Sequence, residues 1–186
     1  MSQGPEPAPL TPNISWIYHI QDMKIGEGVE AGMHCAFLLA VIPKGAVLPA
    51  KTMAEFHGVS ESYLLKHLRA LASAGLLEAV PGPKGGYRLA RRPEKITMCD
   101  IVTAIEGNEP AFRCTEIRRR GPCAGPPSAY KSPCAINHAM LRAEAAWRES
   151  LRRETIAALV REVTRKSDPA SAQCAIAWID ERLRWS

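Results

Sequence analysis

Residues 51–90 read KTMAEFHGVSESYLLKHLRALASAGLLEAVPGPKGGYRLA, and the order of elements inside that stretch decides the fold. The first segment, 51–57, reads as a short helix and stops at Gly58, a residue suited to the left-handed turn that ends helices. Ser60 stands where a hydroxyl caps the next helix, which the pattern carries to about residue 74 before Gly75 closes it. In that second helix Leu64, Leu68 and Leu71 make one stripe, whereas Ser62, Lys66, Arg69 and Ser73 fall at i, i+4, i+7 and i+11 on another. One face packs and the other is available for binding. Residues 76–80 then read as a strand, Pro81-Gly82-Pro83-Lys84-Gly85-Gly86 as a turn, and 87–90 as the returning strand.

Upstream, residues 29–41 are almost continuously apolar, as in a buried helix. Glu30 and His34 interrupt the run four residues apart, on a face continued by Phe37 and Val41, so both polar groups are expected in a partly buried environment. Residues 1–22 open proline-rich and aperiodic, and Met23 directly precedes the first helical pattern. The ordered domain therefore starts near Met23, with residues 1–22 either packed on it through Trp16, Ile17, Tyr18 and Ile20 or forming a flexible extension.

Downstream, 97–106 gives a short helix stopped by Gly107, and 108–134 is a long irregular stretch with prolines at 110, 122, 126, 127 and 133. The segment 135–163 reads as one long amphipathic helix, and a helix that outruns its domain must bury its stripe, most simply against a two-fold mate. Ser167-Asp168-Pro169 breaks the pattern before a last helix over 170–184. The expected fold is mainly α with a small β-wing: a winged helix-turn-helix domain (23–107), a cysteine-bearing loop (108–134), a long dimerisation helix (135–166) and a C-terminal helix (169–186).

A formal net charge of +5 favours a polyanionic partner but does not prove one. No apolar run reaches the roughly 18 residues that span a bilayer, and the start lacks the basic-then-apolar order of a signal peptide, so a cytoplasmic protein is expected. In that reducing compartment clustered cysteines lean to metal or redox chemistry. Cys35, Cys99 and Cys174 sit among apolar residues on helices and read as small core hydrophobes. The other three, Cys114, Cys123 and Cys134, share the irregular loop.

Helix, turn, helix and a glycine-rich hairpin together point to double-stranded DNA. Ser60, Ser62, Tyr63, Lys66 and Arg69 supply backbone-anchoring and base-reading groups from one helix, and Lys84, Gly85 and Arg88 lie on the wing, where Lys84 can reach a phosphate or the minor groove. A solvated charged face is the competing reading. The cysteine spacing, Cys-x8-Cys-x10-Cys, lacks the close pairs of a zinc ribbon and suits an iron–sulfur cluster better. Such clusters usually take four thiolates, so a histidine or carboxylate must complete the shell, with His138, Glu30 and His34 as candidates beside the plainer reading of satisfied polar residues.

Met23-Lys24-Ile25, Val59-Ser60-Glu61-Ser62-Tyr63-Leu64, Gly75-Leu76-Leu77, Pro81-Gly82-Pro83-Lys84-Gly85-Gly86-Tyr87 and the three-cysteine loop together resemble the Rrf-type winged-helix regulators, the family of the iron–sulfur regulator IscR and the nitric-oxide sensor NsrR. Residues 29–35 and 112–118 look most like its redox-sensing branch, typified by RsrR. The resemblance implies a homodimer in which the loop of one subunit approaches the first helix of the other, making Cys114, Cys123, Cys134, His34 and Glu30 the metal ligands. The chain departs from the family pattern in its wider cysteine spacing, in Pro81 where a basic residue is frequent, and in the extensions 1–22 and 169–186. A two-iron two-sulfur cluster is favoured, with a four-iron four-sulfur cluster possible in its place. The expected function is a transcriptional regulator, a repressor, whose cluster senses redox state, nitric oxide or iron–sulfur status. The alternatives are an iron–sulfur electron carrier or assembly scaffold, or a cluster-free winged-helix regulator. No enzyme is expected, since the chain shows no catalytic triad, nucleotide loop or paired carboxylates.

Overall fold

The computed structural model describes residues 25–185. The expectations for residues 1–22 and for a start at Met23 fall outside the described residues.

Helix α1 (Glu27–Val41) carries Glu27 and Glu30 in its first turn, where carboxylates complement the positive end of the helix dipole. It buries Val29, Gly32, Cys35, Ala36, Leu38 and Leu39 against α3, α4 and α6. The side bearing Glu30 and His34 is the opposite one: both are exposed, as is Val41, and only Phe37 is half-buried. The partly buried environment expected for that pair is therefore corrected. A near-continuous apolar helix gives no periodic signal for which side faces the core.

Strand β1 (Ala46–Val47) precedes α2 (Ala50–His57), which ends at Gly58 with φ +66°. Helix α3 (Glu61–Ser73) begins as expected, with the Tyr63 amide donating to Ser60 Oγ at 3.3 Å. Leu64, Leu68 and Leu71 are fully buried and form the centre of the core with Leu48, Met53, Ile96, Ile101 and Ile156. Each such side chain contributes about 1.5–3 kcal/mol by leaving water. Strands β2 (Leu77–Val80) and β3 (Gly86–Leu89) pair antiparallel with Val80 opposite Gly86, which makes the wing. A Cβ on Gly85 would lie 2.0 Å from the Val80 carbonyl oxygen, so only glycine closes that turn. Leu48 and Tyr87 exchange backbone hydrogen bonds and tie the wing to the segment carrying β1.

A reciprocal cap between Thr97 and Asp100 starts α4 (Met98–Glu106), and the loop follows. The long helix expected over 135–163 is two helices, α5 (Ala135–Arg153) and α6 (Ile156–Lys166), parted by an extended Glu154 and by Thr155. The cause is tertiary: Thr97 and Thr155 form a β-bridge, the Met98 amide donates to the Glu154 carbonyl and the Ile156 amide to the Ile96 carbonyl. The Thr155 hydroxyl then caps α6 by accepting from the Ala158 amide, and Ile156 enters the core completely. Asp168 caps α7 (Pro169–Asp180). That helix stops short of residue 184, and the chain continues into strand β4 (Arg184–Trp185), antiparallel to β1. Cys35 and Cys99 are buried as expected, and burial pushes the Cys35 thiol up to about 12. Cys174 is exposed, which corrects its reading as a core residue. Among the described residues no helix is long and apolar enough to cross a membrane.

Candidate functional site

Helix α3 presents Ser62, Lys66, Arg69 and Ser73 to solvent and turns its leucines inward, so the division of faces expected from sequence is the one observed. The other expected DNA-contacting groups are more occupied. Ser60 Oγ accepts from the Tyr63 amide and lies 3.4 Å from Ser62 Oγ. Tyr63 is half-buried with its ring edge-on to His67 at 4.8 Å, and burial, then Glu27 and Glu30, hold its phenol above the ordinary range. On the wing, Lys84 is exposed at the tip, while Arg88 makes a two-pronged contact with the facing Glu78, at 2.9 Å from Nε and 2.8 Å from Nη2. That pair fastens the two wing strands, holding the Glu78 carboxyl below its ordinary range.

The cysteine loop is more ordered than its composition suggested. Two 3-10 turns, Ile117–Arg119 and Pro127–Tyr130, are joined by Tyr130, whose hydroxyl accepts from the Gly125 amide at 2.7 Å and donates to the Arg118 carbonyl at 3.1 Å. The Arg118 and Arg119 guanidinium groups lie 5.5 and 5.1 Å from the centre of the Tyr130 ring. At its start the loop is held by Glu144, which accepts from the Ala111 amide at 3.0 Å and pairs with Arg148 at 2.9 Å, both side chains being largely shielded.

Cys114 and Cys123 are exposed and Cys134 is half-buried at the start of α5. The Asn137 and Ile136 amides, with a smaller contribution from the Arg118 guanidinium, hold the Cys134 thiol below its ordinary range. Arg118 is bound by Glu116, which favours its charged form first, with smaller contributions from Cys134 and Cys114. His138 is exposed one turn beyond Cys134. Glu30 and His34 lie on α1, where the His34 ring is 5.5 Å from that of His57. Among the described residues no three His, Cys, Asp or Glu side chains converge into a group able to hold a metal ion. The thiols thus fit iron–sulfur chemistry in type, one of them already biased to thiolate, but one chain does not gather the whole ligand set.

A family model described as an iron-dependent transcriptional regulator, Rrf2, matches residues 25–162. The chain belongs to the Rrf2 family. The match takes in the helix-turn-helix, the wing and the cysteine loop, and leaves α7 and β4 of this Rrf2 regulator outside it. Among relatives, it is 30% identical over 136 residues to the putative HTH-type transcriptional regulator YwgB of Bacillus subtilis, covering 72% of this chain and 82% of that one. It is 28% identical to the HTH-type transcriptional regulator NsrR of Shouchella clausii, covering 74% of this chain and 89% of the relative. Among solved structures it is similar to CymR, the global cysteine regulator of B. subtilis, with a TM-score of 0.57 and 25% identity over 75% of this chain and 97% of CymR. The Rrf2 architecture, mostly helical with a small antiparallel sheet, is thereby that of a transcriptional regulator that binds DNA.

Sequence reasoning did not single out Tyr130, the Glu144–Arg148 pair, or His67 on the buried side of α3. His67 follows Leu64 by three residues and precedes Leu71 by four, so helical spacing alone places it on the buried stripe.

Proposed function

We propose that this Rrf2-family protein is a cytoplasmic, homodimeric repressor whose affinity for operator DNA is set by an iron–sulfur cluster held between subunits, with the two-iron two-sulfur form favoured. The observation that carries the reading is the placement of three thiols, Cys114, Cys123 and Cys134, on one loop between α4 and α5 that Glu144 ties to α5 through the Ala111 amide. In this reading Lys66, Arg69 and Ser62 of α3 enter the major groove, Lys84 meets phosphate or the minor groove, and Ser60 and Tyr63 order the start of the recognition helix. Gly85 and Arg88 shape the wing that delivers Lys84. Cys114, Cys123 and Cys134 would hold the cluster from one subunit, and His34 and Glu30 from the α1 of its mate, because those two are exposed and form no metal-holding group with the cysteines of their own chain. When bound, the cluster supplies an electron- or nitric-oxide-responsive centre; this chain's part is to hold it and to transmit its state through the loop and α4. A second reading, a cluster-free regulator, is favoured by the lack of any converged ligand group among the described residues.

Anaerobically purified protein decides between them: brown colour with visible absorption supports the cluster, and colourless protein that still retards DNA supports the second reading. A heterodimer isolated from mixed Cys134→Ala and His34→Ala subunits should hold about half of the wild-type cluster content if the site is shared, since one of its two sites is intact. Full loading of both variants alone excludes them as ligands. On operator duplex enriched from a random-sequence pool, Lys66→Ala or Arg69→Ala should weaken binding by roughly 1–3 kcal/mol if the side chain reads a base edge. Unchanged affinity in both would remove α3 from the interface.

A further inference from the structure

The segment outside the family match is not a loose appendage. Ile179 of α7 is only 5% exposed and belongs to the core. Beside it the Trp178 ring lies 5.4 Å from that of Phe56, on the first helix of the helix-turn-helix, and the Arg182 guanidinium stands 4.1 Å over the same indole. Arg182 also donates to the Trp178 carbonyl at 2.9 Å, closing the helix end. The chain then turns into β4, where Trp185 pairs with Ala46 and Arg184 with Val47 of the fully buried β1. From that register Arg184 Nη1 donates to the Pro83 carbonyl at 2.8 Å, across 101 positions of sequence and immediately beside Lys84 at the wing tip.

Each link has a mechanical consequence. A two-stranded hairpin of four-residue strands is marginal by itself, and the wing gains rigidity from what it is tied to. At its base it is tied by Leu48–Tyr87, and across its face by Glu78–Arg88. At the turn the structure ties it to the C-terminal segment through Arg184. We propose that residues 169–185 are a brace between the helix-turn-helix and the wing, and that Arg184 is the positioning residue through which the brace sets where Lys84 stands on DNA. This rests on the DNA-binding reading of the wing. The chemistry is a charged donor on a turn carbonyl that the wing's own ladder leaves unused, the turn's remaining local bond being Gly85 amide to Gly82 carbonyl at 2.9 Å.

The test is a double-mutant cycle in the full chain: wild type, Lys84→Ala, Arg184→Ala and both together, titrated on the enriched operator duplex over a range of salt. Lys84→Ala and Arg184→Ala should each lower affinity, Arg184→Ala by about fivefold for one lost hydrogen bond. The double variant should be little weaker than Lys84→Ala, because Arg184 acts through Lys84. Additive losses, with a salt slope shallower by about one in Arg184→Ala, would make Arg184 an independent phosphate contact and overturn the proposal. So would a silent Arg184→Ala, or a silent Lys84→Ala beside an impaired Arg184→Ala. Amide exchange in the absence of DNA separates the brace from the reading beneath it: the wing amides of Gly82 and 84–87 should exchange faster in Arg184→Ala at unchanged melting temperature. Faster exchange in a protein that retards no DNA would sink the DNA reading and leave the brace standing, whereas unchanged exchange sinks the brace.

Discussion

His67 is the residue at which α3 touches the rest of the domain most awkwardly. It is 7% exposed, its Nε2 has no hydrogen-bond partner among the described residues, and a Cβ on Gly28 would fall 2.2 Å from its ring. Burial, then the neighbouring Lys66, holds the imidazole below its ordinary value, with Glu106 pulling weakly the other way. The sign follows from which state takes the proton first. As pH falls through the ordinary histidine value of about 6.5, the unfolded chain binds a proton that the folded chain refuses. Stability is therefore undiminished above that value and declines below it, until the pH passes the depressed folded value. Urea midpoints measured from about pH 7.5 down to about pH 5 should fall in wild type and fall less in His67→Leu, which extends the Leu64–Leu68–Leu71 stripe. The same pH dependence in both proteins would acquit His67 as the cause.

At the scale of elements, the cysteine loop depends on one hydroxyl. Tyr130→Phe removes a bond to the Gly125 amide and one to the Arg118 carbonyl, about 1 kcal/mol each. Trypsin should then cut at Arg118, Arg119 or Arg120 about fivefold faster or more while the melting temperature of the domain holds. An unchanged cleavage rate would mean that prolines, not Tyr130, order the loop. The elements with local punctuation were legible in the sequence: Gly58, Ser60 and Gly75 bound the recognition helix, and the glycine turn announces the wing. Elements fixed by distant partners were not. The apolar stripe does turn at the break, since Leu151 and Ile156 are five residues apart, but the extended pair there is fixed by a distant partner, the bridge to Thr97. Strands β1 and β4 are two residues each, too short to pattern, and exist because they pair. For the candidate site, the loop cysteines and the exposed side of α3 could be read directly, whereas the Tyr130 hydroxyl that joins the Gly125 amide to the Arg118 carbonyl needs the folded loop.

For the whole molecule, four of the exposed large apolar side chains among the described residues lie on the arm that follows the loop. Ile136, Met140 and Leu141 of α5 and Val163 of α6 are exposed, and Trp147 and Leu151 are half-buried. Such an arm is expected to be the face of a homodimer. Trp147→Glu should give monomer-sized particles by light scattering, and Met140→Glu should do the same from a position already in solvent, where misfolding is not the explanation. Two stable dimers would move the interface elsewhere. The break at Glu154–Thr155 has an evolutionary side as well. In an unbroken helix, gaining or losing one residue turns everything beyond it by about 100°. Here such a change within α5 stops at the extended pair, and Ile156 keeps its seat in the core. A change in the length of α5 is thus expected to leave α6 in its seat against α1.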